Sequence, residues 1–193
     1  MTEIAATADA DFPDAAAAET TGKIAPPSLA MRIAYGFGSV ASGVKDNGFS
    51  YFLLLFYTQV IGVDARLVGL AITLGLVFDA LIDPVVGYWS DNLRSRWGRR
   101  HPLMYASVIP VAALYFLLWN PPVGWSDLAI VSYMFALGLL IRISFSLYEI
   151  PSAALAPELT DDYDARSSLI SLRTFFGWAG GIAIAVLMFG AIF

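Results

Sequence analysis

Phe78-Asp79-Ala80-Leu81-Ile82-Asp83-Pro84-Val85-Val86-Gly87-Tyr88-Trp89-Ser90-Asp91 decides how this chain is read, because it sets two carboxylates inside an apolar run. A charge at the centre of a membrane helix costs about 2.5 to 3.5 kcal/mol on insertion scales, so it persists where it pairs or binds something. On a helix Asp79 and Asp83 stand at i and i+4 and share one face, a turn apart. A shared face suggests a shared ligand.

The surroundings say which solvent that helix meets. Of the 193 residues, 58% are hydrophobic and 14% charged, and the mean hydropathy is +0.68, far from the profile of a soluble domain. The chain is therefore read as an all-α, polytopic membrane protein whose first partner is the lipid bilayer. Its formal charge of -5 says little about other partners, since Glu3, Asp9, Asp11, Asp14 and Glu19 lie in the N-terminal tail; no nucleic acid is expected. Cysteine is absent, which excludes disulfides and thiolate metal sites. His101 follows Arg99 and Arg100 in a basic loop and reads as an interfacial side chain, not a metal ligand.

Residues 1–30, rich in Ala, Thr and Asp and closing on Pro26-Pro27, are expected to form a disordered cytoplasmic tail, and residues 31–193 a transmembrane helical domain. Five spans are expected, at about 33–61, 67–89, 103–119, 128–150 and 169–193. The first is interrupted by Lys45-Asp46-Asn47-Gly48. At about 1.5 Å per residue it exceeds the roughly 30 Å hydrocarbon core, whereas either half alone is too short to cross. One tilted or kinked span is expected, with Lys45 and Asp46 inside the membrane. Gly177-x-x-x-Gly181 has the small-residue spacing of close helix approach, and Gly36-Phe37-Gly38 reads the same way, as no strand or phosphate fingerprint accompanies it. Trp119 and Trp125 fit an interfacial belt. Loop cations set the orientation: Lys23, Arg32, Arg94, Arg96, Arg99, Arg100 and Arg166 oppose Arg66 alone, so the N-terminus is expected in the cytoplasm and the protein in the inner (plasma) membrane.

The intramembrane charges then form a set. Asp46, Asp79, Asp83 and Glu149 oppose Lys45, Arg142 and Arg173, four negatives against three positives, which leaves one negative charge. One bound monovalent cation balances it, or one proton on an acid of raised pKa; the competing reading is an ion-pair network that only ties helices together.

At these residues the chain resembles the glycoside-pentoside-hexuronide:cation symporters, the melibiose permease-like family of the major facilitator superfamily. The matching pieces are Tyr35-Gly36-Phe37-Gly38, Lys45-Asp46, Asp79-Ala80-x-x-Asp83-Pro84, Arg94-Ser95-Arg96-Trp97-Gly98, Glu149-Ile150-Pro151 and Arg173-x-Phe175-Phe176, in family order. The resemblance implies that Asp79 and Asp83, with the Ser146 hydroxyl, hold the coupling cation, a metal site if the ion is sodium and not if it is a proton. It implies that Asp46, Glu149 and Arg173 hydrogen-bond a sugar or glycoside, with Lys45 and Arg142 completing the charge network and no cofactor beyond the coupling ion. Carboxylates and a guanidinium suit vicinal hydroxyls by offering paired acceptors and paired donors.

Three positions depart from the family. Glu149 stands where the melibiose permeases have an aspartate, Ala153 where they have a tryptophan that stacks on the sugar, and Leu76 where they have an arginine, whose charge Arg142 can supply. The loop from Gly87 resembles the superfamily's cytoplasmic gate motif, Gly87-x-x-x-Asp91 and then Gly98-Arg99-Arg100; its plainer reading is positive-inside charge.

The family fold has twelve spans in two halves of six that rock about a midplane site. The five spans here read as an incomplete N-terminal half, lacking its C-terminal helical partner and not expected to transport by itself. The function expected is cation-coupled secondary transport of a sugar or glycoside by alternating access, not an enzymatic one. A symporter of a non-sugar amphiphile such as a lysolipid is an alternative, as is an intramembrane magnesium-dependent prenyl or CDP-alcohol transferase, which Asp79, Asp83 and Asp91 fit superficially. A non-transporting structural or sensory membrane domain is the third.

Overall fold

The computed structural model describes residues 26–92 and 101–191, and among the described residues every regular element is helical. In hydrocarbon each backbone N–H and C=O must be satisfied within its own segment, which the apolar runs achieve only as helices. Ser28 opens α1 (Leu29–Phe37), its Oγ accepting from the Met31 N–H at 3.3 Å. The chain continues as α2 (Val40–Asn47), a π-helical turn (Gly48–Phe52), α3 (Leu53–Leu55) and a second π-helical turn (Phe56–Val60). Gly38, Ser39, Asn47, Phe52 and Leu55, at the joins, keep right-handed helical dihedrals. Residues 29–60 are therefore one bent helix, as the length argument required, and Lys45-Asp46-Asn47-Gly48 lie within it.

The first π turn has a local cause. Tyr115 Oη donates to the Val44 carbonyl at 3.3 Å, and a Cβ on residue 48 would lie 2.1 Å from that hydroxyl. A hydroxyl inserted beside the i to i−4 ladder widens it, and only glycine leaves room. Beyond the second π turn the chain reverses at Gly62, whose φ of 87° lies in the left-handed region.

The remaining elements are α4 (Ala65–Asn92), α5 (His101–Leu118), α6 (Asp127–Ala154), the short α7 (Ala156–Leu159) and α8 (Tyr163–Ala191). Among the described residues four helices are long and apolar enough to cross a bilayer, and with the bent first helix they correspond to the five expected spans. The ends run past the expected boundaries because polar caps extend helices beyond the apolar core. Asp162 Oδ1 accepts from the Ala165 N–H at 2.7 Å, which starts α8 at Tyr163 and not near residue 169.

Two packing units result. In one, α6 packs on α4 and α5; in the other, α8 packs on α1 and α2. The second depends on backbone approach. A Cβ on Gly43 would sit 1.8 Å from the Gly177 carbonyl oxygen, and one on Gly180 2.3 Å from that of Val40, so the small-residue contact expected at Gly177 and Gly181 draws in Gly43 and Gly180. Gly36 likewise lies against Leu172 and Phe176. The apolar core, including Leu53, Tyr57, Val68, Leu118, Met134 and Ile141, gathers where the first helix ends, α4 begins, α5 ends and α6 begins. Trp119 joins this core, its ring 5.1 Å from that of Phe56; of the pair expected at an interfacial belt, only Trp125 is exposed. Leu70, Leu81, Ile109, Phe116 and Val186 cover outer faces, the apolar surface a membrane helix shows to lipid.

Candidate functional site

The intramembrane charges form two groups along one broad face of α6, one where it meets α4 and one where it meets the first helix. Toward α4, Arg142 Nη1 donates to Asp79 Oδ2 in a short ion pair, and Ser146 Oγ donates to Asp83 Oδ1 at 2.6 Å. Both contacts join residues 63 apart in sequence. An equal offset on two i, i+4 rows means that α4 and α6 run parallel, as alternate spans of a chain that weaves through a bilayer must. The row continues to Gly87, which faces Ile150. Arg142 is buried at 9% exposure and its guanidinium carbon stands 5.0 Å from the centre of the Phe49 ring. Asp79 is partly buried and Asp83 is exposed. Arg142, expected to supply charge near the aspartate pair, stands against the first of the two.

Toward the first helix, Lys45 Nζ lies 3.0 Å from Asp46 Oδ1 and 3.4 Å from Glu149 Oε2, and 4.4 Å above the Phe145 ring. One ammonium thus serves two carboxylates. On α8, Arg173 Nη1 donates to Tyr35 Oη at 3.2 Å, and Tyr35 Oη donates to the Ser152 carbonyl at 2.9 Å. Among the described residues Arg173 makes no ion pair.

Asp46, Glu149 and Arg173 line a single cavity of about 500 Å³ between α2, α6 and α8. The structure thus brings together the three residues expected to bind substrate, whereas Asp79, Asp83 and Ser146 do not border that cavity. Glu149 and Arg142, on one face by their spacing, turn to different neighbours, with Phe145 between them. Ser39, Ser42, Asn47, Thr174 and Trp178 also line the cavity and were not singled out by the sequence. A signal existed: Ser39, Ser42 and Asp46 repeat at helical spacing along the first span. Ala153, where a stacking ring is missing, is exposed, whereas Trp178 brings an indole to the cavity from α8. Of the gate motif, Gly87 and Asp91 close α4, while Gly98, Arg99 and Arg100 lie outside the described residues, as do Arg94 and Arg96.

Long apolar helices with charges paired between facing helices make this a multi-pass integral membrane protein. The model of the MFS/sugar transport protein family matches residues 34–193, and the chain belongs to that family. It is similar to an uncharacterized symporter of Synechocystis, 36% identical over 162 residues that cover 81% of this chain and 30% of the relative. It is also similar to the inner membrane symporter YicJ of Escherichia coli (30% identical; 83% of this chain, 35% of the relative) and to the isoprimeverose transporter of Lactiplantibacillus pentosus (27% identical; 81% and 32%). The chain spans about a third of the length of these curated relatives. Transport proteins of this family are not enzymes, and the transferase reading of the aspartates is set aside.

Proposed function

We propose that the chain supplies substrate and ion contacts to a cation-coupled secondary transporter of a sugar or glycoside, working by alternating access. The observation that carries this is the cavity in which Asp46, Glu149 and Arg173 converge. Its volume, about 500 Å³, falls within the usual range for small-molecule sites. Two carboxylates accept from sugar hydroxyls and the guanidinium donates to them, so a polyol is matched at both polarities. Relatives that bear the names of symporters and of an isoprimeverose transporter support the same class.

The ion, sodium or a proton, binds at Asp79, Asp83 and Ser146 in this reading, and Lys45 and Arg142 hold the acids in place. Arg173 has no carboxylate partner among the described residues and Tyr35 positions it, leaving its remaining N–H groups for substrate. Gly87 and Asp91, with Gly98, Arg99 and Arg100, form the cytoplasmic gate between the chain and a second helical unit. The N-terminus faces the cytoplasm and the membrane is the cell's inner one.

The test is sugar binding and cation-driven uptake by the intact protein, with a panel of pentosides, hexosides and glucuronides. Arg173→Met and Glu149→Gln are expected to weaken binding of the accepted sugar by about 10- to 100-fold each, the worth of a hydrogen bond to a charged group. Unchanged binding by both correctly inserted variants refutes the assignment of this cavity. Uptake of a lysolipid in place of any sugar moves the substrate to the amphiphile class.

A further inference from the structure

The charge set identified in the sequence sums to one surplus negative, and the structure shows where that surplus sits. Lys45 is shared by Asp46 and Glu149, an excess of one acid. Arg173, which makes no ion pair among the described residues, is an excess of one base on the same cavity, and the cavity group as a whole is neutral. Where α6 meets α4, Arg142 neutralises Asp79. Asp83 has a hydroxyl donor, Ser146, and no cation partner among the described residues. Within this set of charges, the one left uncompensated among the described residues is therefore that of the exposed Asp83.

The pairing of Asp79 is not a passing contact. Arg142 stands at 9% exposure in a narrow gap lined by Phe49, Leu53, Met134 and Phe135. Its Nε lies 3.5 Å from where a Gly75 Cβ would be, so the guanidinium runs close along α4 to Asp79. The Phe49 ring covers one side. A guanidinium in such a place has exchanged its water for one carboxylate and one ring face, and leaving that carboxylate strands a buried charge. No third acid joins Asp79 and Asp83 among the described residues. A sodium ion seeks several oxygen ligands, and here the inner of the two aspartates already holds a cation.

We propose that Arg142 is a tethered cation seated on Asp79, so that the transported ion is held at Asp83 and Ser146 and must compete with the guanidinium for Asp79. The geometry gives the site one free carboxylate where the aspartate pair by itself offers two. This rests on the reading of Asp79 and Asp83 as the ion position. Its consequence is a low affinity for sodium that the protein's own side chain imposes.

The test is equilibrium binding of radioactive sodium to the purified intact protein, without sugar, at constant ionic strength with choline as the replacement. Arg142→Gln is expected to tighten sodium binding by at least about tenfold, because it frees a second carboxylate. The double variant Asp79→Asn/Arg142→Gln, in which the pair becomes neutral, is expected to return to the wild-type affinity. Asp83→Asn is expected to abolish binding. Unchanged or weaker sodium binding by folded Arg142→Gln overturns the proposal, as does absence of sodium binding in every variant. Where Arg142→Gln does not fold, the double variant decides alone: the wild-type value supports the tethered cation, and a loss of about tenfold or more shows Asp79 to be a direct ligand and overturns it. Sugar binding in the same preparations separates the two readings. A protein that binds no sugar refutes the proposed function and leaves the sodium comparison intact. One that binds sugar while Arg142→Gln gains nothing refutes only the tethered cation.

Discussion

Across α4 and α6, Asp79 meets Arg142 and Asp83 meets Ser146 in two parallel rows, with Arg142 sealed under Phe49. Across α2, α6 and α8, Asp46, Glu149 and Arg173 stand back around a cavity of about 500 Å³. Both regions draw on the same residue types. What separates them is what fills the space between the helices: aromatic rings and a guanidinium in one, open volume in the other. In the first, Arg142 cancels Asp79 by contact and leaves Asp83 to a hydroxyl; in the second, one lysine is divided between two acids, and an arginine is held by a phenol so that its charge stays available. A membrane helix tolerates charge in both ways, but only the second surrounds a cavity with donors and acceptors together.

The largest effect that tests this contrast is on stability. Asp79→Ala strands Arg142 in its gap and is expected to cost about 3 kcal/mol, read as a fall in the thermal midpoint of the purified protein. Glu149→Ala, on the cavity side, is expected to cost under about 1 kcal/mol, because Lys45 keeps Asp46 at 3.0 Å and the cavity admits water. Equal losses in the two variants break the distinction between a sealed pair and an open site.

The second comparison concerns backbone approach. Gly43→Ala drives a methyl to 1.8 Å from the Gly177 carbonyl oxygen, a contact relieved only by parting α2 from α8, and is expected to cost about 2 kcal/mol. Gly75→Ala meets Arg142 Nε at 3.5 Å, ordinary contact distance, and is expected to change stability by less than about 1 kcal/mol in either direction. The sign of the difference between the two melting points checks it. A Gly43→Ala protein as stable as Gly75→Ala shows that the α2 and α8 backbones are not held in contact.

These contrasts were unequally legible in the sequence. The spans were, because an apolar run of bilayer length has one hydrogen-bonded solution; so was the continuity of the first helix, since its halves are too short to cross. The i, i+4 rows showed that Asp79 and Asp83 share a face, but not that Arg142 and Ser146 stand opposite at the same offset, which depends on how α4 and α6 are aligned along their length. Nor did spacing show that Glu149 and Arg142, two turns apart, diverge to different neighbours, because a helix face is broad enough to touch both α4 and α2. The caps that extend α8 back to Tyr163 and the hydroxyl that widens the helix at Gly48 are single side-chain events, invisible to hydropathy. Trp178 was passed over because only the assembled cavity shows that an indole borders it.

The smallest effect isolates the cavity from its helices. Ser42 is 8% exposed, lines the cavity, and its Oγ has no hydrogen-bond partner among the described residues. A buried hydroxyl that makes no bond has already lost its water without return, so Ser42→Ala is expected to leave the thermal midpoint unchanged or slightly raised. Sugar affinity should nevertheless fall, by about threefold to tenfold, if that hydroxyl is held in reserve for a ligand oxygen. Ser90, on α4, supplies the control: its Oγ is also buried without a partner among the described residues, but it does not border the cavity, and Ser90→Ala is expected to leave sugar affinity as it was. Isothermal titration of the two variants with the same sugar reads the difference. Equal affinities mean that the Ser42 hydroxyl is merely tolerated, and that recognition rests on Asp46, Glu149 and Arg173 without it.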